Sequence, residues 1–288
     1  MIEIIQRRLD DYKSTNPMEE KQATKEIIQE LALYALWRAD FFAVAAFQGG
    51  TSLRILHGLP RFSEDLDFML KAPNPDFDWS GYLTKLLSCF EEYGLKSEAL
   101  PKGRMDNRIK KAIIKDNSVT NQLNLSFYQG HAAQKINIKL EIDVEPPAES
   151  GYAYTYLDFP TDHEVCHQDL SSNFALKIHA LLCRGFLKGR DWYDFNWYIK
   201  QSLAPNLPHL KNALVQFGPW KGQADLVVDM AWLKMVLQEK IESIDWTVAA
   251  ADVERFLKPA ELNSLQLWSA RFFSAKLNRL VLSGWESS

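Results

Sequence analysis

The sequence predicts an α/β fold, in which a small mixed sheet flanked by helices precedes a helical C-terminal half. Short stretches between residues 41 and 147 are apolar or alternate between apolar and polar residues, as strands do. After residue 164, longer stretches carry apolar residues at helical spacing. We therefore expect two domains, residues 1–160 with the sheet and N-terminal helices, and residues 161–288 with helices alone.

The composition is that of a globular protein with a substantial core. The chain has 288 residues, of which 47% are hydrophobic, so disordered and fibrous classes are excluded. A formal net charge of −4 argues against a surface that attracts nucleic acid everywhere, although a local basic groove is compatible with it. The odd number of cysteines, three, favours reduced thiols. With no secretory leader and no membrane-length apolar stretch in view, we expect a cytoplasmic protein with no membrane partner.

The N-terminal half predicts one long helix and the first strands of the sheet. Residues 24–39 place apolar side chains at helical spacing and predict a helix with one broad apolar face. The apolar stretch 41–48 predicts a buried strand that ends at two glycines, followed by a short helix that stops at Gly58. Residues 65–70 alternate and predict the next strand.

The rest of the chain predicts one more helix, three strands and then helices. Alternation is strictest in the last strand, which two prolines end. A loop is expected at residues 149–164, with no convincing strand beyond it. The helix is predicted at residues 80–94, the strands at 108–115, 121–128 and 135–147, and the clearest C-terminal helical stretch at 171–203.

Two aspartates in the stretch 65–70 indicate metal chemistry. Residues two apart in a strand point the same way, so Asp65 and Asp67 share one face while Leu66 and Phe68 are buried on the other. Two carboxylates this close repel each other unless a cation lies between them. Oxygen ligands of this kind bind Mg²⁺ or Mn²⁺ together with substrate phosphates.

A third acid is expected on the last predicted strand. Glu141 and Asp143 both lie on its polar face, and the alternation does not choose between them. Three acids together predict a two-metal site, where one ion activates an attacking hydroxyl and the other stabilises a leaving phosphate. The predicted metal ligands are Asp65, Asp67, Glu141 and Asp143.

The turn before the aspartates predicts phosphate binding. Gly49 and Gly50 lack a Cβ and let the backbone approach a ligand, while Thr51 and Ser52 begin a helix whose N-terminus favours phosphate. Taken singly, such a turn is more often just a turn, and Asp-x-Asp on a strand is usually a solvated face. Their occurrence in this order, with a later acidic strand, favours a nucleoside triphosphate site.

Two stretches, GGTSLRILHGLPRFSEDLDF and LKIHALLCRGFLKGRDWYDF, resemble the AbiEii/AbiGii-type nucleotidyltransferase toxin family. This family is a branch of the polymerase-β-like nucleotidyltransferase superfamily that also includes the MenT toxins. Its members commonly have Lys in the place of Gln48. The resemblance implies a polymerase-β-like sheet within residues 1–160 and a helical domain, residues 161–288, that completes the active-site cleft.

The resemblance also implies a role for particular residues. Glu141 is the preferred third acid because KLEI matches the family pattern, and Lys177 would reach the phosphates or the attacking group. The implied catalytic residues are Asp65, Asp67, Glu141, Lys177 and Asp191, and the implied nucleotide-binding residues are Gly49, Gly50, Thr51, Ser52, Arg61, Ser63, Lys177 and Asp194.

Several of these residues also have a purely structural interpretation. Lys177 could lie on an ordinary solvated helix face. Asp191 and Asp194 could cap a helix or belong to an ion-pair network, and Arg61 could pair with Glu64.

The activity implied by the resemblance is transfer of a nucleoside monophosphate from an NTP to a hydroxyl, with Mg²⁺ or Mn²⁺ and release of pyrophosphate. In such abortive-infection toxins the attractive acceptor is the 3′ end of tRNA, and a cognate antitoxin is the expected partner. Two alternatives are an acceptor on a protein or small molecule, and a nucleotide-binding module without turnover.

Overall fold

The structure is a computed structural model, and it describes residues 2–102, 108–116, 118–127 and 135–280. These residues form one seven-stranded sheet, twelve α-helices and two short 3-10 helices. They divide into two compact units. The sheet unit comprises Met1–Gly58, Phe62–Pro146 and Ala153–His167, and the helical unit comprises Leu59–Arg61, Pro147–Tyr152 and Gln168–Ser288.

The elements up to the last strand are α1 (Ile2–Asp11), α2 (Pro17–Arg38), a 3-10 helix (Phe41–Ala43), β1 (Ala45–Gln48), α3 (Gly49–His57), β2 (Leu66–Leu70), α4 (Ser80–Glu92), β3 (Ser97–Lys102), β4 (Ile109–Asp116), α5 (Val119–Gln122), β5 (Ile136–Asp143), β6 (Tyr152–Leu157) and β7 (His163–Gln168). They are followed by α6 (Leu170–Cys183), α7 (Gly189–Lys200), α8 (Leu207–Gln216), α9 (Met230–Glu242), α10 (Trp246–Glu254), α11 (Pro259–Leu262), a 3-10 helix (Asn263–Leu267) and α12 (Ala270–Leu277).

The sheet is mixed, with the strand order β3-β4-β5-β2-β1-β7-β6. β2 lies near its centre, parallel to β5 on one side and antiparallel to β1 on the other. β4 is antiparallel to both β3 and β5, and β1 is parallel to β7. The two strands with the predicted acids, β2 and β5, are therefore direct neighbours.

The apolar sides of β2 and β5 fix the position of these strands. On β5, Ile138, Leu140 and Ile142 are fully buried, and each contributes roughly 1.5–3 kcal/mol by leaving water. On β2, the Phe68 ring packs edge-on against Phe41, with 4.9 Å between ring centroids. The acids on the alternate positions consequently lie on the opposite face of the sheet.

Helix α2 is buried on more sides than the sequence predicts. Asn16 caps it by accepting a hydrogen bond from the backbone N–H of Glu19 at 3.0 Å. Instead of one broad apolar face, the helix also buries acidic side chains, because basic partners neutralise them. The Glu30 carboxylate lies 2.6 Å from Arg8, and the Glu26 carboxylate lies 2.9 Å from Arg54. The expectation of a single apolar face was therefore wrong.

Several strand predictions also differ from the structure. The predicted strand 121–128 is absent over its described residues: α5 ends at Gln122, and residues 123–127 form no strand. The backbone N–H groups of Ser126 and Phe127 instead donate to the buried carboxylate of Glu20, at 2.6 and 3.1 Å. Tyr128 lies outside the described residues. Strand β3 was not predicted, and β6 and the start of β7 occupy the stretch that was expected to be a loop.

The C-terminal helical stretch is broken where the sequence suggested a continuous pattern. Helix α6 ends at Cys183, and α7 begins at Gly189. The aromatic side chains of α7 are mostly core, since Trp192 and Tyr198 are almost fully buried and the Tyr198 ring stacks on Phe174 at 4.3 Å. Among the described residues, none of the helices has the length and apolar character needed to span a membrane.

Candidate active site

The structure brings two of the predicted acids side by side. In the register of the sheet, Asp67 of β2 is opposite Glu141 of β5 on one side and Gln48 of β1 on the other. Neighbouring strands are about 4.8 Å apart, and aligned residues point to the same face. Asp65 directly precedes β2, and its carboxylate lies 3.8 Å from Lys139 Nζ on the same polar face of β5.

The register between β2 and β5 distinguishes Glu141 from Asp143, which alternation alone could not do. Glu141 is aligned with Asp67, whereas Asp143 is aligned with the buried Met69. The Asp143 carboxylate is also occupied: it lies 2.7 Å from Arg108 Nη2 and accepts a hydrogen bond from the backbone N–H of Glu145 at 3.0 Å. Glu141 is therefore the neighbour of the aspartates, and Asp143 ends the strand.

Two lysines supply positive charge to these acids. Lys111 Nζ lies 3.0 Å from Glu141 Oε1, and Lys139 contacts Asp65 as described. Both pairs are partly exposed, so each stabilises the fold by about 1 kcal/mol at most and is readily displaced. Sequence reasoning gave neither lysine a role in the site. Alternation places Lys139 on the polar face of β5 with Glu141 and Asp143, whereas the position of Lys111 requires the register between β4 and β5.

The acids have the donor chemistry of a magnesium site. Carboxylate oxygens are the ligands that Mg²⁺ and Mn²⁺ prefer, and Asp67 and Glu141 project together from one face. In their present side-chain positions, no group of three or more His, Cys, Asp or Glu residues within the described ranges is arranged to hold a metal. Metal binding at Asp65, Asp67 and Glu141 thus stays a prediction.

Gly49 makes room for Asp67. Its backbone has a φ of +79°, in the left-handed region, and a Cβ built there would lie 2.8 Å from Asp67 Oδ2. The glycine was predicted to let a ligand approach the backbone. The structure shows that the group closest to its missing side chain is the carboxylate of Asp67. Only glycine fits both the backbone angle and this contact.

The hydroxyl groups after the glycines stabilise the turn. The Thr51 side chain is fully buried and donates to the backbone carbonyl of Asp65. Ser52 is equally buried, and its hydroxyl donates to the carbonyl of Gly49 at 2.9 Å. Gly50 is buried in the first turn of α3. These contacts link the start of α3 to the start of β2, and direct contact of Thr51 and Ser52 with phosphate remains a prediction.

In the helical unit, the structure brings Lys177, Asp191 and Asp194 together. Lys177 Nζ lies 3.3 Å from Asp191 Oδ1 and 2.8 Å from Asp194 Oδ2. Arg184 pairs with the other oxygen of Asp191. This is the ion-pair network that the structural interpretation anticipated, and it also orients Lys177. The catalytic role of Lys177 stays a prediction from the family resemblance.

Arg61 is the fully buried partner of Asp194. Its Nε and Nη2 each lie 2.6 Å from an oxygen of that carboxylate, in the two-pronged geometry favoured by arginine. Burial by itself would raise the pKa of Asp194, but the charges of Arg61 and Lys177 outweigh it and hold the pKa below its ordinary value. Ser63 is half-buried, and its carbonyl accepts a hydrogen bond from Gln29 at 3.4 Å.

A sequence model of AbiEii nucleotidyl transferase toxins of type IV toxin–antitoxin systems matches residues 31–276 of the chain. The chain belongs to this family. The family resemblance seen in the two sequence stretches is confirmed, and the AbiEii-family chain is accordingly a nucleotidyltransferase.

Comparison with solved structures supports the fold. The crystal structure of JHP933 from Helicobacter pylori has a TM-score of 0.52 at 15% identity, covering 90% of this chain and 91% of that one. An antigenic nucleotidyltransferase-like protein from Paracoccidioides brasiliensis has a TM-score of 0.41 at 15% identity, covering 82% of this chain and 96% of that one. The match to JHP933 confirms the predicted fold class. The comparison with curated proteins found no match.

Proposed function

We propose that the AbiEii-family chain transfers a nucleoside monophosphate from an NTP to a hydroxyl, using a divalent cation held by Asp65, Asp67 and Glu141. The observation that carries the proposal is the register that aligns Asp67 with Glu141. Like-charged groups on adjacent strands destabilise a sheet unless a cation compensates them. The chain supplies lysines for this purpose, and Mg²⁺ or Mn²⁺ would replace them when substrate binds.

Each residue of this site has a defined task. Bound at these carboxylates, the divalent cation would activate the attacking hydroxyl and neutralise charge on the departing pyrophosphate. Asp67 and Glu141 hold their oxygens on one face of the sheet, and Gly49 leaves the space that the Asp67 carboxylate occupies. The N-terminus of α3 directs its positive dipole end to this same turn, which favours the triphosphate.

The acceptor that we propose is the 3′ end of tRNA. This choice rests on the family resemblance, as do growth arrest as the outcome and a cognate antitoxin as the partner. Lys177, Asp191 and Asp194 would assist transfer, and Arg61 would hold Asp194 in place rather than contact nucleotide. The NTP preference is measured by comparing the four labelled NTPs.

The test is incubation of purified protein with bulk tRNA, Mg²⁺ and each of the four α-labelled NTPs. The Asp67→Asn variant keeps the shape of the side chain and removes its charge. Asp78→Asn, an exposed position in the loop after β2, is the matched control. We expect label in RNA with the unmodified protein and with Asp78→Asn, and none with Asp67→Asn or after chelation of the metal.

Other outcomes decide between acceptors. Label on the protein itself would overturn the tRNA acceptor and point to a protein side chain. Label that enters RNA equally well with Asp67→Asn would overturn the proposed site. If no label is transferred to tRNA, protein or small-molecule hydroxyls by any of the four NTPs, the transfer reaction itself is overturned.

A further inference from the structure

The helical unit contains a cavity of about 130 Å³ that Lys177 itself does not line. It is formed by the end of α6, the segment before α7, the first turn of α7 and the end of α9. Its volume is roughly ten times the ~10–15 Å³ that one water molecule requires. The polar side chains that line it are Arg184, Lys188, Asp191, Lys240 and Ser243.

The charge of this cavity is predominantly positive. Three lining side chains are cationic and one is a carboxylate. Asp191 compensates Arg184, which it contacts directly. Within the described ranges, no carboxylate lies within the 4.0 Å ion-pair distance of Lys188 or Lys240. Two positive charges are thus left over for a ligand.

Lys188 is placed where an anion would stabilise it. Its side chain is half-buried at the start of α7, and burial lowers its pKa, although the nearby charge of Asp191 opposes that effect. A partly buried ammonium group has lost some of its hydration, and an anion that accepts its hydrogen bonds stabilises it. An anion in the cavity would supply this acceptor, and the positive end of the α7 helix dipole would stabilise the anion further.

Asp191 separates the cavity from Lys177. One of its oxygens faces Lys177 and the other faces Arg184. Of these two basic residues, Arg184 lines the cavity and Lys177 does not. The cavity therefore adjoins the Lys177 cluster, although Lys177 is not part of its lining. Asp191 belongs to both groups and couples them.

The remaining lining fits an aromatic ring beside an anion. Phe186 is 69% exposed at the cavity, and the guanidinium of Arg184 lies 5.1 Å from its ring centroid. Leu187 and Ile244 supply apolar walls. Exposed aromatic rings next to arginine are surfaces on which nucleic-acid bases stack.

We propose that this cavity binds the phosphate group of a nucleotide unit, with Lys188 and Lys240 as its principal contacts and Phe186 available to the base. The nucleotide unit is either free or part of an RNA strand. This site is additional to the carboxylates of the sheet unit, and binding to it requires neither a metal nor turnover. It would give an acidic protein a local point of attachment for RNA.

The test is protection of lysines from acetylation, measured residue by residue by mass spectrometry on the full chain. The acetylating reagent reacts with neutral amines. Because the pKa of Lys188 is lowered, its amine should react readily when no ligand is bound. The probes are AMP, adenosine and a six-nucleotide RNA, all with the metal chelated. Lys221, exposed in the same unit and outside the cavity, is the internal control.

We expect AMP or the RNA to slow acetylation of Lys188 and Lys240 by about tenfold at ten times the dissociation constant, with Lys221 unchanged. Adenosine, which lacks the phosphate, should not protect. Protection by AMP supports a free nucleotide as ligand, and protection by the RNA alone supports a strand. Equal protection by adenosine and AMP, or none by any probe, overturns the proposal.

Variants provide an independent measurement. Lys188→Gln and Lys240→Gln should each weaken the binding of the protecting probe by about tenfold in calorimetry, as loss of a charged hydrogen bond does. Lys221→Gln should bind like the unmodified chain. Unchanged binding by both cavity variants overturns the proposal. Because no NTP or metal is present, this result is independent of whether the chain labels tRNA.

Discussion

At the scale of single residues, two glycines share a backbone conformation and differ in their surroundings. Gly49 and Gly58 have φ values of +79° and +69°, so an Ala at either position costs about 1–2 kcal/mol. Only at Gly49 would the new Cβ meet a side chain, the carboxylate of Asp67. We expect Gly49→Ala to lower nucleotide transfer by about 100-fold, because small displacements of a reacting group are this costly.

Gly58→Ala is the matched control, since nothing lies within 4 Å of its Cβ position. Thermal unfolding should show similar losses of stability for both variants, while the labelled-NTP assay should separate them. Equal activity of the two variants would show that the space beside Asp67 is not needed for the reaction.

The buried pair of Arg61 and Asp194 predicts a dependence of stability on pH. Because the pKa of Asp194 is lower in the folded chain than in the unfolded one, its ionised form stabilises the fold above pH ~3.9. That contribution is lost as the pH falls through the folded pKa. Asp194→Asn should lower the free energy of unfolding by about 3–5 kcal/mol at pH 7, since it leaves Arg61 buried without its charge partner.

Urea denaturation between pH 3 and pH 7 measures both effects. The free energy of unfolding of the unmodified chain should fall as the pH is lowered towards 3. The difference in this free energy between the unmodified chain and Asp194→Asn should become smaller over the same interval. The exposed variant Asp78→Asn should follow the unmodified chain. A constant difference between Asp194→Asn and the unmodified chain at every pH would contradict the lowered pKa.

Individual site residues were predictable from the sequence only where local geometry decides their position. Alternation correctly placed Asp67 and Glu141 on the polar faces of their strands. It could not distinguish Glu141 from Asp143, because that choice depends on the register between strands. The pairing of Arg61 with Asp194 joins positions 133 residues apart and has no local signal.

At the scale of elements, strand β4 brings a competing cation to the acids. Lys111 Nζ lies 3.0 Å from the Glu141 carboxylate, so a divalent cation that binds this carboxylate must displace the lysine. We expect Lys111→Gln to lower the Mg²⁺ concentration for half-maximal transfer by about threefold to fivefold. This change corresponds to the free energy of one partly exposed ion pair. The measurement is the labelled-NTP assay over a Mg²⁺ titration.

Lys115 provides the control on the same strand and face. It is aligned with Asn137 of β5 rather than with an acid, so Lys115→Gln should leave the Mg²⁺ dependence unchanged. A rise in the Mg²⁺ requirement of Lys111→Gln would mean that the lysine assists the metal or the phosphates instead of competing.

The start of α7 depends on close packing against α10. A Cβ added to Gly189 would lie 1.8 Å from the backbone oxygen of Ala249, and neither helix can yield without moving its backbone. We expect Gly189→Ala to destabilise the chain by about 3 kcal/mol or more. Gly185→Ala, with open space around its Cβ position, should change stability by less than about 1 kcal/mol in the same urea titration.

Elements whose apolar residues follow a regular sequence period were predicted well. Elements whose conformation depends on tertiary contacts were not. Strand β5 follows its strict alternation, and α3 ends at Gly58 as expected. Residues 123–127 resemble a strand, but the Glu20 carboxylate takes two of their N–H groups. Strand β7 has no clear alternation because all but one of its residues are buried, and it joins the sheet between β1 and β6.

At the scale of the whole molecule, the formal net charge of −4 must be reconciled with the RNA acceptor that we propose. A polyanion is repelled by the average charge of such a protein, so attachment has to come from local cations. The cavity in the helical unit concentrates three of them, Arg184, Lys188 and Lys240. Asp191 compensates Arg184, which leaves Lys188 and Lys240 as the phosphate contacts. Each phosphate contact to single-stranded RNA releases about 0.7 counterions, so two contacts predict a log–log salt slope of about −1.4.

We therefore expect the KM for tRNA to rise with about the 1.4 power of the KCl concentration, while the KM for NTP changes less. Lys188→Gln and Lys240→Gln should each reduce the slope by about 0.7, and Lys221→Gln should leave it unaltered. The measurement is initial-rate kinetics at saturating NTP between 50 and 200 mM KCl, about the range where such contacts are resolved. If both cavity variants keep the full slope, RNA is held elsewhere on the chain, even when the transfer reaction itself is confirmed.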